Sequence, residues 1–193
     1  MIEPEFRHHT AAQAREIRAT VEDVYRRSYI DAIASGDPFD SPEAFMHRFD
    51  AYTDPARSWG FDLAVAYLDG ASAGQTWGWP LRPGAAGWGG LHLDDGGLDD
   101  GDLDEFSAET GDRTFALSEI MVCAEHTGRG LARALHDELL RARSEQRATL
   151  LVEPDNERAY QRYRTWGWYR VGWLRPNWED APTFDVLMHN LPL

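Results

Sequence analysis

Hydrophobic residues recur along the chain in two spacings, one typical of helices and the other of strands. Apolar positions three or four residues apart predict a helix over residues 11–33. Ser41 and Pro42 predict the start of a second helix, because serine caps helices well and proline suits the first helical position. Later apolar stripes predict helices over residues 130–143 and 154–165.

Short apolar segments bounded by turn signals predict the strands. They are expected over residues 5–9, 61–68, 74–81, 114–122, 149–152, 169–174 and 184–191. Asp69 and Gly70 predict a hairpin turn between the second and the third of these strands. The order of strands and helices predicts an α/β fold in which helices flank a mixed, mostly antiparallel sheet.

The chain has 193 residues, a length that suits a single domain with one substantial core. We predict one domain over residues 1–193, with an insertion at about 84–110, where glycine and acidic residues are frequent. No apolar run approaches the roughly 18 residues of a membrane helix, and residues 1–10 contain no apolar signal core. These features predict a cytoplasmic protein without a membrane partner.

The formal net charge of the chain is -14. This acidic balance argues against nucleic-acid binding, which needs lysine and arginine to neutralise phosphates. It suits a cationic amine substrate, although solubility explains an acidic surface equally well. The single cysteine, Cys123, excludes an internal disulfide and a multi-cysteine metal site, and we predict no metal.

A glycine-rich turn separates the predicted strand over residues 114–122 from the predicted helix over residues 130–143. The turn reads Thr127-Gly128-Arg129-Gly130-Leu131-Ala132. The first N–H groups of a helix have no partner within it and carry partial positive charge, so such a turn can hold a phosphate or a pyrophosphate. A lone Gly-x-Gly pattern is weak support for a phosphate site, since glycine turns are common.

The turn and a second motif together resemble the GNAT superfamily, the GCN5-related N-acetyltransferases. The central motif of that family is Gln or Arg, two variable residues, Gly, one variable residue, then Gly or Ala. The turn over residues 127–132 matches it, with Thr127 in place of Gln or Arg. The second motif is matched by Asn156, Ala159, Tyr163, Gly167 and Trp168, where Trp168 replaces the usual Phe. The resemblance covers residues 114–174 well and the rest by element order.

The resemblance implies acetyl-CoA, or a related acyl-CoA, as the cosubstrate. Its pyrophosphate is expected on the N–H groups of the turn, and its pantetheine arm on the edge of the preceding strand. Asn156 is expected to cap its helix and to reach the pantetheine. The predicted cofactor-binding residues are Met121, Val122, Thr127, Gly128, Arg129, Gly130, Leu131, Ala132, Arg133 and Asn156.

Members of this family attack the thioester directly with the substrate amine, which requires a base and an acid. Tyr163 stands at the position of the family's thiolate-protonating tyrosine; the alternative is a tyrosine that only packs. Glu119 is the candidate base, because a charge in an apolar strand is costly unless it is paired or used. A glutamate paired with an arginine or a backbone amide is an equal alternative, as is a relay through Ser118 or water.

The sequence therefore predicts an N-acetyltransferase that transfers acetyl from acetyl-CoA to the primary amine of a small molecule. A protein N-terminus or a lysine side chain is a second class of acceptor. A non-catalytic acyl-CoA sensor and a nucleotide-binding turn are alternatives of a different kind. Homodimers are common in the family, but no sequence feature demonstrates one here.

Overall fold

The computed structural model describes residues 3–84, 86–94, 100–176 and 181–193. Within these ranges, eight strands form a mixed sheet flanked by helices, which confirms the predicted fold class. The strands are β1 (Glu5–His9), β2 (Asp62–Leu68), β3 (Ala71–Pro80), β4 (Leu91–Leu93), β5 (Thr114–Val122), β6 (Arg147–Val152), β7 (Tyr169–Leu174) and β8 (Phe184–Asn190). The helices are α1 (Ala11–Glu16), α2 (Arg18–Ser28), α3 (Ile30–Ser35), α4 (Pro42–Tyr52), α5 (Asp100–Ser107), α6 (Leu131–Arg141) and α7 (Glu157–Thr165).

The chain groups into two compact units, and β5 contributes to both. The first unit comprises residues 1–79 and 117–142, and the second comprises residues 80–116 and 143–193. In the first unit the strand order is β1, β2, β3, β5, with antiparallel pairing of β1 with β2 and of β2 with β3. The prediction of a single domain over the whole chain stays a prediction.

Aromatic side chains dominate the core of the first unit. Trp77 on β3 is fully buried, and the rings of Phe45 and Phe49 on α4 lie 5.8 and 5.7 Å from its ring. Tyr25 on α2 stacks on Phe45 with 3.7 Å between ring centroids. Because α2 and α4 are joined to β3 through these rings, their positions over this face of the sheet follow from aromatic packing.

The opposite face of the same strands is covered by α6. Leu131 and Leu135 of α6 pack with Ala66 and Ala73, and the half-buried Ile120 and Val122 of β5 contact this cluster. Side chains alternate between the two faces of a strand. Met121, which belongs to the aromatic core, therefore points toward α2 and α4, while its neighbours in sequence point toward α6.

In the second unit the strand order is β5, β6, β8, β7, β4. The first three residues of β5 pair with β6 in parallel, and the other recorded pairings are antiparallel. A buried carboxylate lies at the centre of this unit: Glu109 Oε1 accepts hydrogen bonds from Trp88 Nε1, Thr114 Oγ1 and Arg147. These three hydrogen bonds to one carboxylate oxygen fix the segment that leads into β5.

Most predicted elements lie where the sequence placed them, with two differences. The helix predicted over residues 11–33 is three helices, broken at Ile17 and Tyr29. Both residues pack against the aromatic core, so the apolar face of the helices continues across the two breaks. The spacing of apolar residues in the sequence therefore gives no sign of where the helices end. The insertion predicted at about 84–110, for which no strand or helix was expected, contains β4, which pairs with β7, and α5. Part of this segment, residues 85 and 95–99, lies outside the described residues.

Strands β3 and β5 approach each other closely at Gly74. A Cβ atom at this position would lie 2.8 Å from the carbonyl oxygen of Met121 and 3.0 Å from a methyl carbon of Leu135. Backbone cannot give way as a flexible side chain can, so only glycine fits here without moving β5.

We expect Gly74→Ala to destabilise the protein by about 1–3 kcal/mol, because the added methyl group must displace β5 or α6. Denaturant unfolding measures the change. Ala71→Ser also adds one heavy atom to β3, at an exposed position, and serves as the matched control. Equal stability of the two variants would contradict the close contact.

Candidate active site

The turn between β5 and α6 is built from short backbone contacts. The Cys123 N–H donates to the carbonyl oxygen of Ala73 at 3.0 Å, which ties the end of β5 to β3. One turn of 3-10 helix follows at Ala124–His126, and the Thr127 hydroxyl donates back to the carbonyl oxygen of Ala124 at 2.9 Å. Thr127 thus closes the turn with its own side chain instead of extending a long polar group outward.

Two glycines allow the backbone conformation of the turn. Gly128 and Gly130 have φ angles of 77° and 82°, in the left-handed region that residues with a Cβ atom disfavour. A Cβ atom at either position would meet no atom within 4 Å. The glycines are therefore required by backbone conformation, and the space beside them is open to a ligand.

The backbone donors of this turn have no acceptor within the described part of the chain. No hydrogen bond there uses the N–H groups of Gly128, Arg129, Gly130, Leu131 or Ala132. Gly130 is the N-cap of α6 and offers no side chain to cap the helix. Five unpartnered N–H groups at the start of an eleven-residue helix fit a bound phosphate or diphosphate.

The charges around the turn are arranged so that little negative charge faces it. Arg129 is exposed and forms no ion pair with the described residues. Arg133 donates from Nε to Asp137 at 2.8 Å, so part of its guanidinium is already engaged along α6. Arg129 is the better placed of the two arginines to offset the loss of the long polar residue that Thr127 replaces.

Arg27 on α2 holds the turn from the other side. Its Nε donates to Glu125 Oε1 at 2.9 Å, and its Nη2 donates to the same oxygen. Its Nη1 donates to Asp23 at 2.8 Å and to the Ser72 hydroxyl at 3.4 Å. The hydrogen bonds to the two carboxylates raise the pKa of Arg27, and the bond with Arg27 lowers the pKa of Glu125. The carboxylate beside the turn is therefore neutralised by a permanent cation.

Glu119 lies on β5, two residues before Met121, and so on the face covered by α2 and α4. Its carbonyl oxygen accepts a hydrogen bond from Thr76 Oγ1 at 2.7 Å, which fixes its place beside β3. Next to Thr76, Gln75 donates through Nε2 to the Val21 carbonyl oxygen and contacts the Met121 sulfur. The carboxylate is thus set on a strand whose register is fixed by buried contacts.

Burial raises the pKa of Glu119 to about 7, and the guanidinium of Arg48 opposes this increase. The residue keeps some contact with solvent, yet protein atoms surround its carboxyl group closely enough to penalise the charged form. Neither an arginine nor a backbone amide bonds to the carboxylate in the described structure, so the predicted alternative of a paired structural glutamate is not what the structure shows. A carboxylate with a pKa near neutrality can take and release protons at physiological pH.

Two residues of α4 that the sequence did not single out lie near this carboxylate. Tyr52 packs on Trp79 of β3 with 4.9 Å between ring centroids, and burial and the Glu119 carboxylate raise its pKa. Arg48, one helical turn before Tyr52, donates from Nη1 to the Phe39 carbonyl oxygen at 2.9 Å. The two residues are four positions apart and so lie on one face of α4. This spacing is visible in the sequence, but it does not show which part of the protein that face contacts.

The second motif lies in the second unit and forms a helix cap and an aromatic cluster. The Asn156 side chain accepts a hydrogen bond from the Ala159 N–H at 3.2 Å, which confirms its predicted capping role for α7. The half-buried Tyr163 lies edge-on to Trp166 and Trp168, at 5.6 and 6.1 Å between centroids. Trp168 is 3% exposed and fills an apolar position, as predicted for the residue that replaces Phe.

The predicted site residues therefore fall into two groups. The first unit contains Glu119, Met121, Val122, Thr127, Gly128, Arg129, Gly130, Leu131, Ala132 and Arg133, and the second contains Asn156 and Tyr163. The Met121 side chain is buried in the aromatic core, so only its backbone is available to a ligand. Sequence reasoning missed Arg27, Arg48 and Tyr52, whose contacts with the site cross between elements distant in sequence.

Neither a metal-binding cluster nor a membrane-spanning helix occurs among the described residues. No group of three or more histidine, cysteine, aspartate or glutamate side chains in the ranges given above is arranged to hold a metal ion. Among the same residues, no helix combines the length and the apolar character needed to cross a membrane.

The fold and the anion-binding turn are those of an acyltransferase fold, and comparison with known proteins identifies the family. The family model described as Acetyltransferase (GNAT) family matches residues 23–168, about three quarters of the chain. The chain therefore belongs to the GNAT acetyltransferase family. The non-catalytic sensor and the nucleotide-binding turn, considered from the sequence, are not retained. A search of curated protein sequences gave no match.

Solved structures share the fold at low sequence identity. An acetyltransferase from Thermus thermophilus is 15% identical with a TM-score of 0.60, and the match covers 99% of this chain and 100% of that chain. A phosphinothricin acetyltransferase of the GNAT superfamily from Sinorhizobium meliloti, in complex with AcCoA, is 17% identical with a TM-score of 0.56, over 97% and 88% of the two chains. A ribosomal-protein-alanine N-acetyltransferase from Brucella melitensis is 17% identical with a TM-score of 0.56, over 97% and 99%.

We expect Glu119→Gln to stabilise the protein relative to the wild type more at pH 8 than at pH 5. The folded carboxyl group keeps its proton up to about pH 7, whereas the unfolded one releases it near its usual value of 4.5. Since the folded state binds more protons between these values, Glu119 lowers the free energy of unfolding as pH rises through them, and glutamine does not. Thermal unfolding of both proteins at the two pH values measures this difference.

The exposed Glu16 provides the control, as Glu16→Gln. If the two substitutions give the same pH dependence, Glu119 is not held in a desolvated environment.

Proposed function

We propose that this protein acetylates the primary amine of a small molecule by direct attack of the amine on acetyl-CoA. The observation that carries the proposal is the set of unpartnered N–H groups at Gly128–Ala132, in the same unit as a carboxylate whose pKa is near 7. The first feature suits the diphosphate of the cosubstrate, and the second suits removal of a proton from the acceptor ammonium group.

The diphosphate is assigned to the turn, with Thr127 shaping the backbone and Arg129 supplying charge. Leu131 and Ala132 contribute backbone donors, and Arg133 a partly engaged guanidinium. The backbone of Met121 and Val122 would pair with the amide groups of the pantetheine arm, in the manner of an added strand. Asn156, which caps α7, is also assigned to the residues that bind the cosubstrate.

Glu119 is assigned as the general base. Its carboxylate accepts a proton from the ammonium group, which frees the nitrogen lone pair to attack the thioester carbonyl carbon. A pKa of about 7 leaves much of the carboxyl group ionised at neutral pH, while it remains basic enough to take the proton. The carbon–nitrogen bond forms and the carbon–sulfur bond breaks, and the electron pair of the latter leaves with sulfur.

Tyr163 is assigned as the acid that protonates the departing thiolate. A phenol donates a hydrogen bond, and the usual pKa of phenols, about 10, is close to that of a thiol leaving group. The edge-on contacts with Trp166 and Trp168 limit the orientations of its ring. The assignment depends on the motif formed by Asn156, Ala159 and Tyr163, which places this residue at the family's tyrosine position.

Two classes of acceptor are considered for this site, and a small-molecule amine is the first. A protein N-terminus or a lysine side chain is the second candidate, and the likeness to a ribosomal-protein-alanine N-acetyltransferase keeps it under test, although identity at this level reports the fold alone. A small molecule is favoured by the half-buried setting of Glu119 beneath α2 and α4, which suits a compact amine. The cytoplasmic location and the homodimer stay predictions.

A screen for acetyl-CoA consumption against diverse amines tests the proposed function, and two variants test the proposed roles. We expect Tyr163→Phe to lower kcat by roughly 100-fold or more without weakening acetyl-CoA binding, since only the leaving-group proton is lost. We expect the wild-type rate to rise with pH through about 7 and Glu119→Gln to lose both this rise and most activity.

Tyr160→Phe, a substitution one helical turn before Tyr163 on α7, is the matched control for the phenol. Unchanged turnover in Tyr163→Phe would remove that residue from the mechanism. Acetylation of a peptide N-terminus but of no small amine would favour the second acceptor class.

The Arg27–Glu125 pair gives a separate prediction about where the diphosphate binds. We expect Arg27→Met to weaken the binding of CoA by about tenfold, because Glu125 then places an unpaired carboxylate beside the bound anion. The double variant Arg27→Met with Glu125→Gln removes both charges and is expected to restore most of the affinity. Isothermal calorimetry at low salt measures the three dissociation constants.

Arg26→Met is the control, since Arg26 lies next to Arg27 and pairs with Glu22 within its own helix. If the double variant binds CoA no better than Arg27→Met alone, the loss is structural and the charge argument is wrong.

A further inference from the structure

Arg48 is a half-buried arginine of the first unit that forms no salt bridge with the described residues. Other partly buried arginines there, including Arg18 and Arg27, bond directly to carboxylates. Arg48 bonds instead to a carbonyl oxygen, that of Phe39, and its guanidinium lies over the Phe39 ring with 4.0 Å to the centroid. No described carboxylate forms a salt bridge with it.

The backbone contact and the ring hold this cation in place without neutralising it. One Nη1 donor is used by the Phe39 carbonyl oxygen, the side chain of Tyr25 is also within hydrogen-bonding reach of Arg48, and the face of the guanidinium is covered by the Phe39 ring. The remaining N–H groups lie in the plane of the guanidinium, which is the direction from which a carboxylate is bound by two parallel hydrogen bonds. Arg48 is half-buried, so solvent and solutes reach it.

The face of α4 that carries Arg48 turns toward the carboxylate assigned as base. Tyr52, four residues later on the same face, packs on Trp79, and α4 is fixed to Trp77 of the same strand by two further aromatic contacts. Glu119 lies on the neighbouring strand and on the same side of the sheet. The electrostatic influence of Arg48 reaches three groups here, since it opposes the rise in the pKa of Glu119, Tyr52 and Tyr25.

This side of the first unit therefore presents a carboxylate and an unpaired guanidinium that are not bonded to each other. A polyamine would satisfy the carboxylate and be repelled by Arg48. An amine that carries its own carboxylate satisfies both groups, with its ammonium end toward Glu119 and its acid end toward Arg48.

We propose that Arg48 binds the carboxylate of the acceptor, and that the acceptor is a free amino acid whose amine is presented to Glu119. This inference rests on the proposed function, since it specifies the substrate class of the same site. It assigns Arg48 a role in specificity: the residue selects acceptors with an acid group and takes no part in proton transfer.

Matched compounds test the substrate class. Glycine, L-leucine and L-phenylalanine are each compared with the corresponding amide and with the amine that lacks the carboxyl group; spermidine and a short peptide with a free N-terminus complete the panel. We expect kcat/KM for at least one amino acid to exceed that for its amide and its amine by about 10- to 100-fold. At neutral pH the amide has a larger unprotonated fraction of its amine than the acid has, so a preference for the acid over the amide does not arise from the supply of free amine.

Two substitutions of Arg48 separate carboxylate binding from its influence on Glu119. We expect Arg48→Gln to raise KM for the preferred amino acid by about 10- to 100-fold. Measured well above the pKa of Glu119, where the carboxylate is ionised with or without Arg48, the rate with the matching amide should stay nearly unchanged. Arg48→Lys keeps the charge that acts on Glu119, and so the pH profile, but loses the two parallel hydrogen bonds and should raise KM by a smaller factor. Arg57→Gln, an exposed arginine of the same unit, is the control, and thermal unfolding checks that all variants fold.

The outcomes distinguish this inference from the proposed function. If amides, simple amines, spermidine or the peptide are acetylated as well as the amino acids, and Arg48→Gln changes none of these rates, the inference is wrong and amine acetylation stands. If no compound of the panel is acetylated although CoA binds, the proposed function fails and the inference fails with it. A rise in KM that is equal for acid and amide in Arg48→Gln also overturns the inference, because it would show a structural role.

Discussion

The backbone at the start of α6 has more hydrogen-bond donors than the chain supplies acceptors for. Gly130 caps the helix without a side chain, and Gly128 and Gly130 take φ angles that keep the approach to these donors clear. Unsatisfied N–H groups are costly where water is excluded, so this arrangement is stable only if water or an anion completes it. Other features of the first unit serve this arrangement, from the close packing of β3 on β5 at Gly74 to the bond between Cys123 and Ala73.

The charges close to the turn between β5 and α6, and not the net charge of the chain, decide what the turn can bind. The chain carries a net charge of -14, which repels anions at long range. Beside the turn, Arg27 neutralises the carboxylate of Glu125, and the helix start and Arg129 add positive charge. Since oriented donors act over a few ångströms and distant carboxylates are screened by salt, an acidic enzyme can use a polyanionic cosubstrate. The same principle applies at Glu119, where burial and one arginine set the proton affinity.

Sequence patterns predicted the local parts of this structure well. Strands β1, β5 and β7 have the predicted bounds, and the caps at Ser41 and Asn156 form as expected, because each depends on residues a few positions apart. The breaks at Ile17 and Tyr29 were missed because both residues keep the apolar face of the helix continuous. Strand β4 was missed because three residues are too few for a period, and its pairing with β7 depends on residues about 80 positions away.

By itself, the sequence determined the class of protein. Two motifs in the family's order predict an acetyl-CoA-dependent acetyltransferase. One has glycines where the backbone adopts positive φ angles, and the other contains Asn156 and Tyr163. The family match confirms that the chain is a GNAT acetyltransferase. Only the tertiary structure decided the state of the charges. From the sequence alone, the pKa of Glu119 cannot be distinguished from that of the other glutamates. Its pKa near 7 results from burial beneath the helices packed over β5. Arg27 and Arg48 are two arginines among many until the fold pairs one with Glu125 and leaves the other beside Phe39 without a described carboxylate. Spacing along a chain records local geometry, whereas desolvation and ion pairing depend on neighbours that folding brings from elsewhere.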